Sequence, residues 1–424
     1  MRFVRFNLIR ALKKTFSPQV YFTIETGQQG FTDQMMQLSS FYKLGKACGF
    51  EYHHKPFISA RSEPLENNDI SEFEDIYDFL GLRDYFAAKQ HFFSHDPLTH
   101  EINLSDAILE NAGVKDFKTL VEYVQNKVSN VESTKTTQRP NLFILRMDRA
   151  KPAPGKGKRQ FFSLINSANE ADKYSLKFSS IYSKARVKKP LASTFSSESF
   201  KVLIHIRQGD TSVVKTPWNT FIPVDKRRPD YLTQNDSLED ITSRYFDKFV
   251  DSIFTPEDYH GFWVSLREHI CKSGLELNVF SDGYQRAIDC ILSGGKILKL
   301  SNEQKKQLET YRSDIDNLMF SSFSKLNCTK CLLGETAESL YKLVDGALQA
   351  DLIITAAQQR MLPKLIANYM PNRGPSVIVL YRNNPPDYSD MMASHDTRFI
   401  YVDINNPKYD DIVRRLSNKP FLHK

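Results

Sequence analysis

No run of residues in this chain is apolar for long enough to cross a membrane. Its opening, MRFVRFNLIRALKKTF, interleaves charged and apolar residues, so it lacks the unbroken core and small-residue cleavage site of a secretion signal. Cysteine is sparse: the five residues Cys48, Cys271, Cys290, Cys328 and Cys331 are odd in number and scattered. That pattern excludes a disulfide-framed scaffold and points to a reducing, cytoplasmic compartment. Cys328-Thr329-Lys330-Cys331 has neither a second Cys-x-x-Cys nor paired histidines to complete a metal site, and no metal is expected. Asn-x-Ser/Thr triplets at Asn103, Asn235 and Asn327 carry no weight without secretion. No fixed-period repeat is present. Charge of one sign is not dominant either, with 57 basic against 50 acidic residues and a net charge of +7. So mild an imbalance does not make a nucleic-acid binder, and no nucleic acid is expected as a partner.

What the chain has is length and core. Its 424 residues are 41% hydrophobic and include 30 Phe and 19 Tyr, enough for two domains with separate interiors. The division expected is residues 1–198 and 199–424. The most informative stretch is Lys201-Val202-Leu203-Ile204-His205-Ile206-Arg207-Gln208-Gly209-Asp210. Val202 to Ile206 is short, apolar and β-branched, the pattern of a central strand in a parallel sheet covered on both faces. Alternation puts His205 and Arg207 on one face, and Gly209 allows a tight turn before Asp210. In open α/β sheets ligands bind beyond the carboxyl ends of the strands, where these residues would stand. Arginine's planar fork suits a diphosphate and a neighbouring histidine adds a donor. The structural alternative is an Arg207–Asp210 ion pair beside a core histidine.

Other segments repeat the pattern. Val20 to Ile24 reads as a strand, Glu25 to Gly30 as a glycine-bearing turn without the Lys-Ser/Thr of a phosphate loop, and Thr32 to Cys48 as a helix with Met35, Leu38, Phe41, Leu44 and Ala47 on one side. Phe50 to His54 reads as a second strand whose adjacent histidines point to opposite faces, and Ile70 to Leu80 as a solvated helix. Residues 130–198 are polar and basic with one strand, Leu142 to Leu145. Farther on, strands are expected at Leu277–Ser281, Asp351–Thr355, Ser376–Tyr381 and Phe399–Asp403. Helices are expected near Tyr284–Leu292, Thr336–Ala350, from Gln358, and at Tyr409–Leu416. Asp282 follows a strand and is either a helix cap or a ligand contact. Ala356-Ala357 leaves room for a diphosphate to approach the helix start at Gln358 and Gln359.

These residues resemble the signatures of one superfamily, the α1,2, α1,6 and protein O-fucosyltransferases that use GDP-fucose. His205-Ile206-Arg207-Gln208-Gly209-Asp210 is similar to its His-x-Arg-x-Gly-Asp pattern. Phe280-Ser281-Asp282 is similar to Phe-Ser-Asp-Asp, with Gly283 in place of the second aspartate. Thr355 and Gln359 match a Thr-Phe-Ser-Ser-Gln segment from which Ala356, Ala357 and Gln358 depart. Gly30-Phe31-Thr32-Asp33-Gln34-Met35 looks like a Gly-x-Gly-Asn-Gln-Met opening, with Thr32 and Asp33 changed. Residues from about 55 to 200 match no signature.

The resemblance implies an α/β fold of GT-B type, two Rossmann-like domains facing a central cleft, with GDP-fucose in the carboxyl-terminal domain and a glycan or glycoconjugate acceptor in the other. It implies inverting transfer with no metal and no cofactor beyond the donor substrate. Arg207 would hold the diphosphate, with His205 and Asp210 beside it. Asp282 would read guanine, and Thr355, Gln358, Gln359, Gly30 and Gln34 would complete the donor site. The Lys151–Arg159 patch would suit a lipid-linked acceptor, or is a solvated loop. Residues 1–16 form either a basic amphipathic helix on the inner face of a membrane or a helix packed on its own domain. Two other functions fit the same sequence: transfer from another nucleotide sugar, and non-enzymatic binding of nucleic acid or an anionic membrane.

Overall fold

The computed structural model describes residues 20–24, 31–54, 78–89, 93, 96–133, 139–147, 160–190, 194–196, 199–206, 213–217, 221–223, 254–270, 274–281, 283–293, 300–326, 329–333, 337–357, 362–363, 365–366, 374–383, 385 and 396–417. The chain divides into two compact units. Unit 1 comprises residues 1–190, 367–371 and 388–395, and unit 2 comprises 191–366, 372–387 and 396–424.

Unit 1 runs β1 (Tyr21–Ile24), α1 (Phe31–Ala47), β2 (Glu51–Tyr52), α2 (Leu82–Ala87), β3 (Leu98–Asn103), α3 (Asp106–Asn111), α4 (Phe117–Ser133), β4 (Asn141–Arg146), α5 (Gln160–Asn166), a 3-10 turn (Asn169–Tyr174) and α6 (Phe178–Lys188). Its sheet is parallel, in the order β2-β1-β4-β3. All four residues of β1 are buried, as an apolar run between two neighbours requires. Helix α1 is buried nearly all round, including Gln34, Gln37, Ser39, Ser40 and Lys43. Lys43 pairs with Asp172 at 2.9 Å.

The second strand is shorter than expected, covering only Glu51 and Tyr52. His53 and His54 lie beyond it and pack into aromatic rings. His54 stacks on Phe86 with centroids 4.5 Å apart and its Nδ1 lies 2.9 Å from the Tyr52 hydroxyl. Burial, with the neighbouring His53 second, lowers the pKa of His54 to about 3, so it is a neutral packing residue. The stretch read as polar with one strand also holds α5, buried through Phe161, Phe162, Leu164 and Ile165, the 3-10 turn, and α6, whose few buried residues, Phe178, Ile181 and Tyr182, are diluted by lysines and serines. The expected helix at Ile70–Leu80 falls largely outside the described residues, as do residues 1–16 and the Lys151–Arg159 patch.

Unit 2 continues with β5 (Phe200–Ile206), β6 (Val213–Lys215), β7 (Phe221–Pro223), α7 (Pro256–His269), β8 (Leu275–Ser281), α8 (Gln285–Ser293), α9 (Asn302–Arg312), α10 (Ile315–Ser324), β9 (Thr329–Leu333), α11 (Ala337–Gln349), β10 (Leu352–Ala356), β11 (Ser376–Tyr381), β12 (Phe399–Asp403) and α12 (Tyr409–Ser417). Six strands form a sheet in the order β12-β11-β10-β5-β8-β9, and every pairing is parallel. Numbered within this sheet, that is 3-2-1-4-5-6, the doubly wound order, with its switch point between β5 and β10. The expected α/β class and two Rossmann-like units are therefore present. Strands β6 and β7 form a separate antiparallel pair within the Thr211–Leu238 connection.

One face of the sheet, through Val202, Ile204 and Ile206 of β5 and Leu277 and Val279 of β8, packs against apolar residues of α7, α8, α9, α10 and α12. The other is approached by α11, whose Gly346 lets the helix close on Leu203 and Phe280. Local signals fix the helix starts: Thr255 with Asp258 caps α7 and Ser301 with Gln304 caps α9, each as a reciprocal capping box. Among the described residues, no helix is long and apolar enough to cross a membrane.

Gly45 of α1 offers a test of unit 1's packing. A Cβ there would stand 2.5 Å from Cε1 and Cε2 of Phe22, a ring with no exposed surface. Gly45→Ala should destabilise the protein by about 1–3 kcal/mol although alanine is the better helix former, read as a lowered midpoint in urea unfolding.

Candidate functional site at the carboxyl edge of the unit 2 sheet

The strands at the centre of the unit 2 sheet are the ones that carry the signature segments. The register aligns Ile354 of β10 with Ile204 of β5, and His205 and Ile206 of β5 with Phe280 and Ser281 of β8. One step beyond the last β10–β5 pair, Thr355 stands beside His205. Side chains alternate, so Thr355, His205 and Phe280 form a row on the α11 face, while Ala356, Ile206 and Ser281 form a row on the other. Thr355 has no exposed surface and His205 is also buried. Both flank the switch point, the usual place for a ligand in a sheet of this order.

The turn after β8 is held by a carboxylate from elsewhere in the chain. Gly283 N–H donates to Ser281 Oγ at 3.0 Å, and Tyr284 N–H donates to Asp316 Oδ1 at 2.7 Å. Gly283 has φ +71°, a conformation that glycine adopts without strain. A Cβ at this position would also lie 2.5 Å from Asp316 Oδ2. Asp316 sits in the first turn of α10 and is buried. Burial raises its pKa above the ordinary carboxylate value, against the lowering effects of the Tyr284 N–H bond and the Arg312 charge. Arg312 is held by a two-pronged ion pair to Asp289 at 2.6 and 2.8 Å, which ties α9 to α8.

At the end of β11, Arg382 lies 2.8 Å from Asp258 of α7 and donates to Asn405 at 3.1 Å, with Phe254 beneath its guanidinium. It braces the rim of the sheet.

Of the residues expected at the site, the structure places His205 and Thr355 side by side. Gln34 lies in the first turn of α1 in unit 1 and is fully buried. Gly30, Arg207, Asp210, Asp282, Gln358 and Gln359 lie outside the described residues. Neither Asp316 nor Arg382 stands out in the sequence as a site residue. The one available signal was spacing: Asp314-Ile315-Asp316 is an Asp-x-Asp triplet of the kind metal-dependent sugar transferases use. Metal independence therefore rests on the fucosyltransferase resemblance alone. Among the described residues, no three His, Cys, Asp or Glu side chains are grouped to hold a metal ion. Cys48 and Cys331 are free thiols, both raised in pKa by burial, Cys48 to about 12.

No family model matches the chain, and no curated protein is detectably similar to it. Among solved structures, a candidate UDP-N-acetylglucosamine 2-epimerase from Listeria monocytogenes aligns over 96% of this chain and 90% of its own, with 8% identity and a TM-score of 0.32. A likeness at that level carries no argument about function.

The elevated pKa of Asp316 makes a stability prediction. Below the ordinary carboxylate value of about 4 the group is protonated in both folded and unfolded chains, and as pH rises through the raised folded value the native state must ionise a buried acid. Stability is lost over that window. Asp316→Asn lacks the titration, so it should melt at or above the wild-type temperature near pH 7, with the advantage shrinking below about pH 4 in a series of thermal scans.

Proposed function

We propose that this protein transfers fucose from GDP-fucose to a hydroxyl group of a glycan or glycoconjugate, on a GT-B architecture, with inversion and without a metal. One observation supports this reading above the others: three segments resembling the fucosyltransferase signatures begin at the carboxyl ends of β10, β5 and β8, adjacent strands of one doubly wound sheet, around its switch point. Nothing in local sequence obliges three distant segments to meet there, and a nucleotide site needs them to.

In this reading the acceptor oxygen bonds to C1 of fucose as the C1–O bond to the β-phosphate breaks. The electron pair leaves with GDP, and the acceptor proton passes to a base, for which Asp210 and Glu25 are the positional candidates. An oxocarbenium-like centre and a departing diphosphate need charge stabilisation more than covalent help. Arg207 would supply a cation and the helix start expected near Gln358 would supply N–H groups, beside Thr355 and His205 at the strand ends. Asp282 accepts from the N1 and N2 donors of guanine, which uracil does not present.

Two variants test the reading. Arg207→Ala should lose about 2–4 kcal/mol of transition-state stabilisation, roughly 30- to 1000-fold in kcat/KM, measured as GDP release from GDP-fucose over a glycan acceptor array. Activity within tenfold of wild type overturns the assignment of Arg207, and loss of wild-type activity in EDTA overturns metal independence. Asp282→Asn should weaken GDP strongly while leaving pyrophosphate binding and the melting temperature unchanged, because asparagine caps a helix about as well as aspartate. Unchanged GDP affinity in this variant, or wild-type preference for UDP or ADP, removes the guanine assignment.

A further inference from the structure

At the amino end of β8, remote from the edge that carries His205 and Thr355, the α11 face of the sheet is polar. Glu276 and Asn278 lie there, and both are buried, as is Asp345 of α11. Each of the three reaches the same segment, residues 194–199, which leads into β5 from the end of unit 1. Asn278 Nδ2 donates to Thr194 O at 2.9 Å, and Thr194 Oγ1 donates to Asp345 Oδ2 at 3.3 Å. Glu276 Oε2 accepts from Ser196 N–H at 2.7 Å and from Ser199 Oγ at 3.0 Å, while its Oε1 lies 3.3 Å from the Lys330 ammonium of β9. Ser196 Oγ donates in turn to Ser199 Oγ at 2.9 Å.

Side chains, not the ladder, hold this strap. Among the described residues, no backbone–backbone hydrogen bond fixes residues 194–196 or 199, and the ladder resumes only where Phe200 N–H donates to Gly274 O. Phe195 adds one buried apolar side chain. A face made only to stabilise the sheet would be apolar. Asn278 instead has no exposed surface, gives its amide N–H to the strap and leaves its Oδ1 without a partner. A buried amide half-satisfied in this way costs stability, and the hydrogen bond it makes in return is to the strap. Such bonds exchange for water at small net cost, so a segment held mainly by them opens well below the free energy of unfolding. Strand β5 has its own hold, through Lys201 N–H on Asp351 at 2.9 Å and its pairing with β8 and β10. We infer that residues 194–199 form a latch that opens from the α11 face as one piece while the unit 2 sheet stays folded, with Glu276 as its catch. Opening adds these residues to the connection between α6 and β5, about 20 Å of further reach at ~3.4 Å per residue. The latch is independent of the donor and of the reaction.

Amide hydrogen exchange on the full chain tests this, read by mass spectrometry over peptides covering residues 194–199, β5 and β8, without urea and in urea below the unfolding transition. In wild type the strap should exchange more slowly than an unstructured peptide yet about 100-fold or more faster than β5 and β8, at a rate that low urea leaves unchanged. Glu276→Gln, which keeps the shape and removes the charge, should speed exchange of the strap about tenfold or more and leave β5 and β8 as they were. Ser199→Ala should act in the same direction by a smaller factor. The latch is overturned if the wild-type strap exchanges as slowly as β5 and with the same dependence on urea, since it then opens only by unfolding. It is overturned equally if the wild-type strap exchanges at the unprotected rate, because nothing then holds it. A change of less than about twofold in Glu276→Gln removes Glu276 as the catch, and equal acceleration of strap, β5 and β8 makes the segment part of the core. Should Glu276→Gln fail to fold, the urea dependence of wild type and the exchange of Ser199→Ala decide.

Discussion

Strand β5 is hydrogen-bonded on one edge to β10 and on the other to β8, with apolar helices over one face and α11 over the other, so that Val202 to Ile206 are almost entirely withdrawn from water. A segment so placed must satisfy its backbone within the ladder and tolerates only apolar side chains along its length. The polar residues of the stretch are therefore displaced to its carboxyl end. The same constraint acts on β10, while β8 meets it in part by hydrogen bonding, its buried Glu276 accepting from Ser196 N–H and its buried Asn278 donating to Thr194 O. Because the three strands are parallel and in register, their polar ends arrive at one edge of the sheet together, and that edge is where chemistry is open to the chain.

The turn after β8 shows how the edge is built from residues distant in sequence. Ser281 Oγ and Asp316 Oδ1 receive two consecutive N–H groups, and Gly283 supplies the backbone conformation and the space that lets a carboxylate come close. Asp316 belongs to a helix whose predecessor is braced to α8 by the Arg312–Asp289 pair. The geometry of Gly283 and Tyr284 is accordingly set by tertiary packing as much as by their own strand.

What was legible in the sequence follows from burial. Strands β5, β8, β10, β11 and β12 are dominated by apolar residues because most of their side chains are buried, and their positions could be read within a residue or two. The edge strand β3 (Leu98-Thr-His-Glu-Ile-Asn) was not legible, because only Ile102 is buried, Thr99 and Glu101 are exposed, and Leu98, His100 and Asn103 are half-buried. Strand β9 was hidden for a related reason: at an edge of the unit 2 sheet, its Lys330 is exposed and Cys331 to Leu333 are half-buried. Helix α6 was hidden in a basic stretch, since one narrow buried side suffices for a helix on the surface, and α5, though largely buried through Phe161, Phe162, Leu164 and Ile165, is only seven residues long in the same stretch. At the site, His205 and Thr355 were legible because they close apolar strands. Asp316 was not, because its contact with Tyr284 spans 32 residues and the two segments share no local pattern.

That separation bears on the order in which the molecule assembles. The turn after β8 cannot reach its final geometry while β8 and α8 are the only structured parts, since its acceptor arrives with α10, two helices later. Closing such a loop costs chain entropy before any contact rewards it. The turn at the carboxyl edge is thus completed by docking of α10 and not by pairing of the central strands, so a folding intermediate with an intact sheet and a loose α10 would have the scaffold of unit 2 without that turn.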